Sequence, residues 1–282
     1  FIEARFALRL DALSILLTAT LLFGAWFVHL YALSSTAAPA AHAFALAQLN
    51  GALGAAMIVL VAGNMLFLLL GWSVSGWLTY GVLRASRSTS TSSERERVPI
   101  LAFWIASDVL LLIATTIVSR RFASLSLDDL IALSPALGLQ EIPTLSIVAA
   151  GALASAAVLL RIGVFPWNLP LPATSANWAC AMARGLMLFL PGVYLLARLH
   201  PLLSSTSLLP GAIAWWGTLA ALLMGLSALA QPVGWSGTRS VLLGRASLLL
   251  VAIATGSLLA ALAYLPAFAL SQTLLLLVPL SA

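Results

Sequence analysis

Long apolar runs separated by short polar breaks organise this chain. The run from Ala12 to Leu33 is entered through Asp11 and leaves through His29-Leu30-Tyr31, an amphipathic end suited to a membrane interface. Apolar sequence then continues from Phe44 to Leu83, about twice what one crossing of a bilayer core of roughly 30 Å needs. Gly63-Asn64 is its natural break, and two helices over about 44–62 and 64–83, joined by a tight turn, are predicted. Further spans are predicted at 99–118, 143–164, 177–200, 208–231 and 240–264, with a last one from Pro266 onward. The pattern is that of an all-α polytopic transmembrane helix bundle with about 8–9 spans.

The breaks differ in character. Arg84 to Arg97 (RASRSTSTSSERER) is hydrophilic and Ser/Thr-rich, the composition of a solvated loop. The stretch after Val118, with Arg120, Arg121, Asp128, Asp129 and Glu141, reads as extramembrane. Segment five runs into RIGVFPWNLPLP, where Pro166, Pro170 and Pro172 forbid a regular helix. A helix broken near 161–172 must bury its freed backbone groups in protein or line a cavity with them.

Composition agrees with this pattern and narrows it. The 282 residues are 62% hydrophobic and 7% charged, against about a quarter charged in a soluble domain. Mean hydropathy is +1.09. An outer-membrane barrel would show segments of about ten residues alternating polar and apolar, and no such alternation is present. Residues 1–282 thus read as a single transmembrane domain whose first partner is the lipid bilayer, here a bacterial inner membrane. Residues 1–10 do not form a signal peptide. The formal charge of +5 does not indicate nucleic-acid binding, because the 13 basic residues are scattered and form no stripe. All 13 are Arg. Alternating the loops places Arg84, Arg87, Arg95, Arg97, Arg161 and Arg239 on one side and Arg5, Arg9, Arg120, Arg121 and Arg198 on the other. The short Arg-rich loop 84–98 decides the vote and is expected to be cytoplasmic.

Soluble-enzyme signatures are missing. The chain has no Gly-rich phosphate loop, no metal-spaced Cys/His cluster and no Ser elbow, so no catalytic site, cofactor or metal is expected in it. Cys180 is the lone cysteine and excludes an intrachain disulfide. His29, His42 and His200 fall at helix ends or loops and read as interfacial, and Trp26, Trp72, Trp77, Trp167 and Trp178 read as an aromatic belt. Ionisable groups at membrane depth remain: Asp108 in segment four, Arg161 at the broken end of segment five and Arg184 in segment six. Each costs about 2.5–3.5 kcal/mol if unpaired, which pairing of Asp108 with Arg161 or Arg184 would largely remove. Such a pair serves either helix packing or an ion pathway.

Several strings resemble a known family, the antiporter-like membrane subunits of respiratory complex I, the largest of them (subunit 5, or chain L) in particular. RLDALSILLTATLLFGAWFVHLYALS is similar to that family's third helix, GNMLFLLLGWSVSGWLTYGVL to its fifth and AFWIASDVLLL to its sixth. RIGVFPWNLPLP resembles the broken seventh and PGVYLLARLHPLL the eighth. The resemblance covers most of the chain and weakens after Gln231. It lacks the family's first two helices and its long C-terminal ones. It implies two inverted five-helix repeats, each with a broken helix holding charge near the midplane, and a cytoplasmic loop after the fifth helix, as the Arg count also indicates.

The departures matter as much. By the resemblance the helix-five glutamate falls at Ser73, the helix-seven lysine at Arg161 and the helix-eight histidine at Arg184. Later lysines fall at Arg239 and Gln272, while the helix-six aspartate is kept as Asp108. Arg stays protonated in proteins, so the family's lysine relay is not expected to operate here. Asp108, Arg161, Arg184 and Arg239 are the ion-pathway candidates. The implied function is a membrane-arm subunit of a complex-I-like NADH:quinone oxidoreductase, with other membrane and peripheral subunits as partners. The alternatives are the membrane partner of a bacterial inorganic-carbon (Dab-type) transporter, which also lacks the helix-five glutamate, and a non-transporting scaffold.

Overall fold

In a computed structural model the described residues are 7–34, 39–85, 97–138, 145–163, 179, 181–204, 208–230 and 235–277. They form α1 (Ala12–Leu33), α2 (Pro39–Val61), α3 (Met65–Ala85), α4 (Arg97–Phe122), α5 (Leu127–Gly138) and α6 (Leu145–Ile162). A π-helical turn (Met182–Met187) then leads into α7 (Phe189–Leu203), α8 (Leu208–Ala230), α9 (Trp235–Ala254) and α10 (Leu258–Leu277). Among the described residues seven helices are long and apolar enough to cross a membrane, and two shorter apolar stretches, Ser240–Ala254 and Leu259–Leu275, lie in α9 and α10. The chain is a polytopic helical membrane bundle.

The helix ends follow local chemistry. Asp11 caps α1: its Oδ1 accepts from the Ser14 amide at 3.0 Å and from the Ser14 hydroxyl at 3.1 Å. Asn64 starts α3 in the same way, accepting the Leu66 amide at 2.7 Å. The expected break at Gly63-Asn64 is therefore present, and neighbouring backbone stitches it down. Gly63 donates to the Ala7 carbonyl, Met65 to that of Leu125, and Leu127 to that of Gly63.

One expectation is filled in and another is corrected. The extramembrane stretch after segment four contains α5, whose Asp128 and Asp129 sit in the first turn, where the helix dipole favours them, while Leu127 and Leu130 are buried. The last break lies at Thr255-Gly256-Ser257, not at Pro266. Gly256 has φ +79°, its amide reaches the Ile253 carbonyl, and the Ser257 amide reaches that of Ala252, which together close a Schellman cap. Pro266 lies inside α10. A glycine free to take positive φ ends a helix more decisively than a proline among packed neighbours.

α7 is the axis of the bundle. Its span from Gly185 to Leu203 is 83% buried, against 22% for α8 at the periphery. The π turn ahead of it has a local cause. Pro191 offers no amide to the carbonyl of Met187 and crowds it, so the preceding turn widens and the Leu188 amide bonds five residues back, to Ala183, at 2.9 Å.

Candidate functional site

Arg161 is the second-last residue of α6, which ends where Gly163, at φ +75°, turns its amide onto the Leu159 carbonyl at 3.0 Å. The cation thus lies in the last helical turn, the end of the dipole that favours it. Its side chain is 2% exposed. Nη1 donates to Asp108 Oδ1 of α4 at 3.3 Å, and Nη2 donates to the Trp72 carbonyl of α3 at 2.5 Å. The guanidinium carbon lies 5.1 Å from the Trp72 ring centroid and 5.4 Å from that of Trp104, within cation–π range of both.

Gly76 makes this possible. A Cβ there would overlap the guanidinium, so the absence of a side chain opens the groove through which Arg161 reaches the carbonyl one turn back on α3. A second link runs beside the first: Trp72 Nε1 donates to Ser107 Oγ at 3.3 Å, and Ser107 donates to the Ala157 carbonyl at 2.7 Å. α3, α4 and α6 are thereby tied at mid-depth. Ser73 lies beside Asp108, whose side chain keeps 18% exposure. Of the partners expected for Asp108, Arg161 is in contact with it.

Arg184 lies in the π turn and Arg239 near the start of α9. Pro166 and Pro170, with the break expected between them, lie outside the described residues, as do Trp167 and Trp178. Gln272 is buried at 3% exposure, and its Oε1 has no hydrogen-bond partner. Trp72, expected in an interfacial belt, is fully buried and forms one wall of the site, because its ring offers an apolar face to the cation and its N–H finds Ser107. Trp26 and Trp77 are exposed. His29 bonds the Ala25 carbonyl and Asn50, and His200 Nε2 is buried without a partner among the described residues.

A second ionic cluster closes one end of the bundle and was not foreseen as such, although Arg9 and Arg198 were placed on one side. Arg198 of α7 grips Asp11 with both arms, Nη1 to Oδ2 at 2.6 Å and Nη2 to Oδ1 at 2.6 Å. It also donates to Ser14 Oγ at 3.1 Å and lies over the Tyr194 ring at 5.0 Å. Arg9 joins Asp11 to Asp128 at the start of α5. Burial pushes the Asp11 carboxyl up, but the Arg198 and Ser14 hydrogen bonds and the Arg198 charge outweigh it, leaving Asp11 well below the usual carboxylate range. Beside this cluster a cavity of about 380 Å³ is lined by Ala7, Gly63, Asn64, Ser124, Ser126 and Asp129. Among the described residues no group of His, Cys, Asp and Glu is arranged to hold a metal.

No family profile matches the chain. No curated protein matches it either. Solved structures do. A chain of the Mrp complex from Dietzia sp. DQ12-45-1b superposes with a TM-score of 0.83 at 17% identity, over 96% of this chain and 31% of that one. A chain of the membrane-bound sulfane sulfur reductase (MBS), an archaeal respiratory membrane complex, superposes with a TM-score of 0.77 at 17% identity, over 98% of this chain and 48% of that one. The present chain spans about a third to a half of the chains it resembles, and it shares the fold of membrane subunits from multi-subunit complexes.

Proposed function

We propose that this protein is an antiporter-like membrane subunit of a multi-subunit, complex-I-like respiratory assembly, in which it holds a fixed charge on the route of ion translocation. The observation that carries this reading is the Arg161–Asp108 pair, seated where α6 stops and buried between α3 and α4. An ion pair at that depth is costly to maintain for packing alone, since apolar residues would hold three helices as well. The likeness to subunits of the Mrp and MBS complexes supports the same reading. The pair works as a permanent field. Arg161 does not release its proton, so it orients and repels mobile cations without relaying protons.

The test is affinity purification of the tagged protein from native membranes, with identification of the co-purifying subunits. Recovery with peripheral NADH-oxidising and other membrane subunits is expected, and recovery alone would sink the reading. Ser73, in place of a carboxylate beside Asp108, fits a second reading, the membrane partner of an inorganic-carbon transporter. Recovery with one large zinc-binding partner would select it.

A further inference from the structure

Carboxylates are distributed unevenly along this chain. Five of the 13 arginines lie beyond residue 141, but none of the eight Asp and Glu residues does. Arg161 and Arg198 solve this by borrowing Asp108 and Asp11 from the first half. Arg245 does not. It is exposed on the outer surface of α9, and among the described residues no ion pair or hydrogen bond reaches it.

Two registers fix its depth. It is the eleventh residue of the 20-residue α9, about 15 Å from either end. Its neighbour Gly244 packs on Ala221 and Met224, near the middle of the membrane-spanning α8. Val241 and Leu248, 42% and 57% exposed, flank it on the same helical face. An arginine here facing hydrocarbon costs about 2.5–3.5 kcal/mol by insertion scales.

We infer that the Val241–Arg245–Leu248 face of α9 is a docking surface for a transmembrane helix of a second polypeptide that presents an Asp or Glu at mid-depth. This rests on the reading of the chain as a subunit of a membrane complex. Charge complementarity selects the occupant: a lone cation at mid-depth is satisfied by a carboxylate, and every described carboxylate of this chain lies on other elements, with Asp11, Asp108 and Asp128 already paired with arginines. A second copy docked by a two-fold axis through this face would set Arg245 against Arg245.

A photo-crosslinking amino acid at Leu248, in the tagged full-length chain in native membranes, tests this, with the same group at exposed Trp215 of α8 as control. The expected product from position 248 joins an apolar segment of another subunit that contains Asp or Glu. Arg245→Lys keeps most of that product, and Arg245→Glu lowers it by about tenfold or more, because like charges then face each other. Changing the partner's acid to Arg in the Arg245→Glu background restores it. Products confined to lipid, to a second copy, or to a segment without an acid overturn the inference, as does an unchanged yield in Arg245→Glu. If the other subunits still co-purify in any of these cases, the proposed function stands and only the docking surface is lost. If nothing co-purifies, both fall.

Discussion

Among the described residues two arginines are buried, and they are held in opposite ways. Arg198, at one end, is matched arm for arm by Asp11, with a serine and a tyrosine ring filling in around it. Arg161, at mid-depth, makes one long contact with Asp108 and gives its shortest bond to a backbone carbonyl. The first arrangement is a clasp: it joins the start of α1 to α7 and, through Arg9, to α5. The second leaves the carboxylate partly free and the cation permanently in place. Bidentate geometry marks an element whose task is to stay shut, and incomplete pairing marks one whose charge is still available to its surroundings.

Breaking the mid-depth pair on one side has the largest expected effect. Arg161→Met strands Asp108 without its counter-charge and should destabilise the bundle by about 3–5 kcal/mol, seen as lost yield and a lower thermal midpoint in detergent. Adding Asp108→Asn should recover most of that stability. A double variant no better than the single one would mean that Asp108 was never the partner that mattered.

The clasp at Asp11 should respond to acid, and less strongly. Asp11 lies below its ordinary range in the folded state, so its contribution is complete above that range and is lost as pH falls through the folded value. Wild type should therefore show no clasp-dependent change between pH 5 and 8 and should weaken below about pH 4. Asp11→Asn should cost about 1–3 kcal/mol at pH 7, and its deficit should shrink on acidification. A deficit that stays constant with pH would assign the loss to packing.

The smallest effect belongs to the wall of the site. Trp72→Phe keeps an aromatic face but removes the bond to Ser107 and part of the cation–π attraction, for about 0.5–1.5 kcal/mol. Trp26→Phe, on the exposed face of α1, should cost nothing measurable, and equal losses at both positions would erase the distinction between wall and belt.

Much of the architecture was legible in the sequence because membrane helices announce themselves by unbroken apolar length. The Gly63-Asn64 break was legible because each residue has a turn role that few others share. α5 was not, since its twelve residues carry both charge and leucine and the prior for a polar stretch is a loop. Pro266 misled because a proline surrounded by packed helices can be accommodated, while the Schellman cap at Gly256 depends on bonds that form only in the folded chain. At the site, charge at depth pointed to Asp108 and Arg161, but position alone made Trp72 an interfacial residue. Arg245 was passed over because QPVGWSGTRSVLLGRAS reads as weakly apolar. The signal that exposes it was present throughout: a half-chain with five cations and no anion.

Gly76 has a consequence for how this site can change. The slot it leaves is shaped for a planar fork that reaches a carbonyl and a carboxylate together. A lysine at 161 would bring three donors on one point charge in place of the planar fork, and would fill less of the slot. A substitution at 76 made first would collide with the arginine still in place. Installing a proton-exchanging group here therefore calls for coupled changes. Stepwise mutation is more apt to preserve this site than to convert it into a titrating one.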